Sequence, residues 1–139
     1  MNPYSPHGDM MVRLLIAALL GALVGFERER MGKPAGVRTH GMVALGAALF
    51  TVASIFGFES RGDPARVAAQ VVTGVGFLGA GAILHQSGAV YGLTTAASLW
   101  ATAAIGLAVG TGMYVMSAEA AVLVFLLLRF GPRNKLTGA

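Results

Sequence analysis

Apolar residues along this chain gather into uncharged blocks separated by short charged links. His40 and Glu59 bound 18 uncharged residues, Arg66 and His85 bound another 18, and His85 and Glu119 bound 33. A helix of about 18 or more such residues can cross the roughly 30 Å hydrocarbon core of a bilayer. The third block is too long for one crossing and breaks at Gly110-Thr111-Gly112, so with the apolar run after it, it divides into two spans. The pattern predicts an all-α, polytopic transmembrane helical bundle of about five helices, at residues 10–26, 41–58, 67–84, 93–110 and 112–130, forming a single transmembrane domain over residues 1–139. In the first segment only 13 residues separate Arg13 from Glu27, so it spans if Arg13 snorkels to one interface and Glu27 lies at the other. The competing reading, a buried helix of a soluble fold, has the neighbouring spans against it.

Composition agrees with a lipid environment: mean hydropathy is +0.70, with 55% hydrophobic and 12% charged residues, about half the charge of an ordinary soluble domain. The net charge of +4 is therefore not a nucleic-acid footprint, and no nucleic-acid partner is expected. Basic residues cluster at span ends. Arg28, Arg30, Lys33 and Arg38 in one link and Arg129, Arg133 and Lys135 in the tail share a side if there are five spans, against Arg13, Arg61 and Arg66 on the other. Cytoplasmic loops carry the excess of Lys and Arg, so the N-terminus is expected outside and the C-terminus in the cytoplasm. A signal peptide would need its positive charge before the first apolar block, whereas here it follows. Cysteine is absent, which removes disulfides, thiolate ligands and a Cys nucleophile.

Glycine changes the picture further, because many of the 20 glycines lie inside spans, where they let helices approach closely. Gly21-x-x-x-Gly25 and Gly106-x-x-x-Gly110 each place two small residues on one face, usable for packing within the chain or for a dimer seam; a homo-oligomer, most simply a dimer, is expected. Gly74, Gly76, Gly79 and Gly81 surround the third span with small residues and argue for a place at the centre of the bundle. Gly74-x-Gly-x-x-Gly79 also fits a dinucleotide fingerprint, but it lies in mid-membrane without the preceding strand or the later acidic residue. No Walker loop, HExxH motif or nucleophile–base–acid set is present, so neither an enzyme nor a bound cofactor is expected.

Polar residues at membrane depth usually face a bundle interior or a water-filled path. Glu27, Arg28, Arg38, Thr39, His40 and His85 fall near the cytoplasmic span ends, where they either form a charge cluster, with Glu27 paired to Arg38 or Arg28, or simply anchor the helices. Asp63-Pro64 suits a helix start, and Asp63 can also meet cations, with Arg66 and Gln70 one and two turns inward. A hard cation such as Mg²⁺ wants more oxygen ligands than Asp63 and Glu59 offer, so no dedicated metal site is expected. Glu119, an isolated carboxylate in the fifth span, is the other acidic candidate, and it needs a pairing, a proton or water.

Several ordered motifs carry a resemblance. Gly25-Phe-Glu-Arg-Glu-Arg30, Gly32-Lys-Pro-Ala-Gly-Val-Arg-Thr-His40, Asp63-Pro-Ala-Arg66, Ala69-Gln-Val-Val-Thr-Gly-Val-Gly-Phe-Leu-Gly-Ala-Gly81 and Gly92-Leu-Thr-Thr-Ala-Ala-Ser-Leu-Trp100 together resemble the MgtC/SapB family, from about Leu14 to Tyr114. The resemblance implies a bacterial inner-membrane protein linked to growth under magnesium limitation, to virulence and, in some members, to restraint of the F-type ATP synthase. Longer members carry a soluble C-terminal domain, whose activities are not expected of a chain that stops nine residues after Phe130. Two functions follow: a non-enzymatic modulator acting through helix contacts, and a small cation (Mg²⁺) channel or transporter. Sparse charge along the membrane interior favours the first.

Overall fold

A computed structural model describes residues 6–57, 63 and 65–132. The helices are α1 (Pro6–Arg30), α2 (Val37–Phe56), α3 (Ala65–Gly81), α4 (Leu93–Gly110) and α5 (Tyr114–Phe130), with a small antiparallel ribbon of β1 (Leu84–Gln86) and β2 (Ala89–Tyr91) between α3 and α4. Among the described residues this is the predicted all-α bundle of five helices. α1, α2 and α4 are long and apolar enough to cross a membrane; α3 and α5, of 17 residues each, extend about 25 Å, at the short end of the spanning range. Alternating helix directions create two ends, one holding Glu27, the ribbon and Arg129, the other holding Arg13, Asp63 and Gly110. Phe58, Glu59, Arg61, Arg133 and Lys135 lie outside the described residues.

The predicted boundaries shift where charge is satisfied inside the fold. α1 begins four residues earlier than residue 10 and continues through Glu27-Arg28-Glu29-Arg30 instead of stopping at 26. Its end is closed by Lys33 N–H to Arg28 O at 3.0 Å and Gly32 N–H to Glu29 O at 2.9 Å, a Schellman arrangement. The Glu29 carboxylate then accepts the Val37 N–H at 3.1 Å and so satisfies the first turn of α2, which starts four residues before the predicted position. α4 closes in the same way as α1, with Met113 N–H to Ala108 O and Gly112 N–H to Val109 O, both 2.9 Å. Gly112 has φ +90°, so it is a left-handed helix stop and α5 starts after it, at Tyr114. α3 ends at Gly81, and residue 84 belongs to a hairpin whose turn, Ser87-Gly88, has φ +51° and +79°, the signature of a two-residue hairpin turn with both central φ positive.

Small side chains let α1 and α4 close on α2 from two sides. Gly21 lies over the His40 carbonyl and Ala44, and Gly106 over the backbone of Ala44. Gly25 meets Gly36, and Gly110 meets Thr51 and Ala48; a Cβ on Gly21 or Gly25 would come within 2.5 Å of a backbone oxygen. These four glycines are consumed inside the chain, so the expected dimer seam does not lie there. The remaining core is correspondingly fine-grained: Ala17, Ala44, Ala48 and Val109 form one cluster, and Val24, Ile105 and Ala121 join α1, α4 and α5 in another. α3 is an edge helix, contrary to its expected central place. Only Val75 and Gly79 of α3 are buried, and a Cβ on Gly74, Gly76 or Gly81 would meet nothing within 4 Å.

Arg13 is held rather than free to snorkel. Its guanidinium bonds Asp9 at 2.7 and 2.8 Å, donates to the Gly110 carbonyl at 2.7 Å and lies 5.3 Å over the Phe56 ring, while Tyr114 donates to Asp9 at 3.3 Å. One side chain thereby ties α1 to the ends of α2 and α4 and, through Asp9, to α5.

Candidate functional site

At the Glu27 end, helix packing buries a polar cluster. Because α1 continues through its charged residues, Glu27 and Arg28 turn to different neighbours and are only 4% and 2% exposed. Glu27 meets Arg129 of α5 at 3.5 Å and Arg30 at 3.7 Å. The expected pairing with Arg38 or Arg28 is not formed, since Arg38 is on an exposed face of α2 and Arg28 points to α4. Arg28 Nη2 donates to Thr95 Oγ1, whereas its buried Nε has no partner. Among the described residues Arg28 forms no ion pair.

One turn along α4, Ser98 joins the cluster through His40, which is fully buried. His40 Nδ1 is 3.1 Å from the Gly36 carbonyl and Nε2 is 3.0 Å from Ser98 Oγ, which is itself 2.9 Å from the Thr95 carbonyl. A carbonyl only accepts, so Nδ1 carries a proton. The neutral ring then accepts the Ser98 hydroxyl at Nε2; a protonated ring would donate to Ser98 and turn that hydroxyl to Thr95 O. Thr102, one further turn along, is fully buried with an unpartnered Oγ1. Thr95, Ser98 and Thr102, spaced three and four apart, form a polar stripe absent from the sequence-based expectations; that spacing in an otherwise apolar helix is the signal that could have found it.

The other predicted residues are dispersed. Asp63 caps α3, its Oδ1 accepting the Ala65 N–H at 2.9 Å. Asp63, Arg66, Gln70 and Thr39 line a long groove of about 1210 Å³ between α2 and α3. Glu119 is exposed on α5 and takes part in none of the ion pairs among the described residues. His85 is exposed on the ribbon. Among the described residues, no three His, Asp or Glu side chains converge to hold a metal ion.

The sequence model of the MgtC family matches residues 14–135. The chain belongs to the MgtC family. This MgtC-family chain is 46% identical over 127 residues to an Escherichia coli K12 protein named "Putative magnesium transporter YhiD", covering 86% of this chain and 59% of that protein. It is 45% identical over 114 residues to "Protein MgtC" of Salmonella typhimurium LT2, covering 82% and 48%. A Haemophilus influenzae protein is 43% identical over 135 residues, covering 91% and 57%. The chain thus spans about half to three-fifths of the length of these relatives. No solved structure matches it.

Proposed function

We propose that this MgtC-family chain is a non-enzymatic module of the bacterial inner membrane that modulates a partner membrane protein through helix contacts, in the physiology of magnesium limitation, virulence or membrane energetics. The observation that carries this reading is the outward face of α3. Ala69, Thr73, Gly76 and Ala80 are spaced four, three and four apart, share one helix face and are all exposed. Without a hydrophobic drive between helices in lipid, such a small-residue face favours close docking of another helix. It is also where a second copy of the chain would pack, since the other glycine pairs are taken up internally. The F-type ATP synthase is the first partner to test, on the strength of the family resemblance. The excess of basic residues at the Glu27 end supports a cytoplasmic position for that end and an outside N-terminus.

Photo-crosslinking from Thr73 in cells grown at low magnesium is expected to capture a membrane protein, and Gly76→Leu to abolish both capture and growth support while leaving insertion intact. The second reading, cation transport, draws support from the name of the Escherichia coli relative and the carboxylate of Asp63 at a groove mouth. Magnesium flux into proteoliposomes containing only this protein would favour that reading and sink the modulator.

A further inference from the structure

The glycines of this protein serve two opposite purposes. Gly21, Gly25, Gly106 and Gly110 bring backbones together, whereas Gly46 of α2 and Gly74 of α3 both line the α2–α3 groove, where a Cβ on either would meet nothing within 4 Å. These two keep a crevice open. Its floor is fixed where Ala47, Val75 and Ala103 pack together, and its walls include Val43, Phe50, Val67 and Val71. The lining is apolar along most of its length, and Asp63, Arg66 and Gln70 gather toward one end of it. The groove follows α2 from Thr39 to Ser54, about 22 Å at helical rise and longer than one leaflet of a roughly 30 Å core. A slender, flexible apolar chain fits this shape.

The mouth of the groove selects the rest of the molecule. Arg66 is exposed and forms no ion pair or side-chain hydrogen bond among the described residues, and Asp63 uses Oδ1 for its cap and keeps a second oxygen. A cation and an anion three positions apart, above an apolar slot, complement a zwitterion. We propose that the groove is a phospholipid site selective for an ethanolamine head group: an acyl chain lies in the slot, Arg66 binds the phosphate, Asp63 binds the primary ammonium, and Gln70 is placed for an ester carbonyl. A guanidinium matches phosphate oxygens through paired N–H donors. Phosphatidylglycerol, with no ammonium, leaves Asp63 uncompensated.

The test uses the full chain in bilayers of equal phosphatidylethanolamine and phosphatidylglycerol, released for native mass spectrometry. One phosphatidylethanolamine per chain is expected, retained about tenfold over phosphatidylglycerol. Arg66→Gln lowers retention of both lipids. Asp63→Asn preserves the helix cap but erases the preference between them. Gly74→Leu fills the slot and removes the bound lipid, whereas Gly81→Leu, outside the groove, leaves it in place. Equal retention of the two lipids by the unaltered chain, unchanged retention in Gly74→Leu, or a crosslink from position 74 to a second copy or another protein would overturn the assignment.

Discussion

Arg28 shows how a single buried cation constrains its surroundings. Its guanidinium is shielded from water and relies on the hydroxyl of Thr95, so the two side chains act as a pair. Thr95→Val keeps the shape but strands a charged donor, at a cost of about 2 kcal/mol. Arg28→Met removes both charge and demand, and should cost less, because replacing a buried charged group by an apolar one of similar shape avoids an unpaired charge. The double variant should resemble Arg28→Met alone, as coupled neighbours are not additive. Equilibrium unfolding in detergent micelles measures all three; equal, additive losses would show that the hydroxyl and the guanidinium are energetically independent.

At the scale of helices, stability depends on which glycines are pressed. Gly21→Leu would drive a side chain into the His40 backbone and the Ala44 side chain, and Gly106→Leu into the Ala44 backbone, so each should lose about 3 kcal/mol or more and lower the yield of folded protein. Gly81→Leu should be close to neutral in the same thermal melt, because open space surrounds it. The number of helices and their alternation were legible from the uncharged blocks alone. Their ends were not, because a charge in such a pattern ordinarily marks an interface, while Glu27 and Arg28 are buried within the bundle, Glu27 beside Arg129 and Arg30 and Arg28 bonded through one nitrogen to Thr95. Glycine content likewise marked α3 as special without saying whether its glycines meet neighbours or space, which depends on tertiary packing. Of the polar residues, the cap at Asp63 was readable from Asp63-Pro64, but the stripe on α4 was hidden because Thr and Ser are unremarkable one at a time.

For the molecule as a whole, the basic asymmetry argues for one orientation: a cysteine replacing Gly32 should be labelled by a membrane-impermeant thiol reagent only in inverted vesicles, and labelling in intact spheroplasts would reverse the topology. The chain also has to reach that orientation in sequence. Arg13 emerges from the ribosome early, yet one of its acceptors is the Gly110 carbonyl, 97 positions later. Asp9, one turn away on the same helix, can neutralise the charge at once, so the first segment can enter the bilayer as a locally paired unit. Its final seat must then wait until the fourth helix has been made, which turns the bond between Arg13 and Gly110 into a marker for the moment when the nascent chain stops being a row of inserted segments and closes into one body.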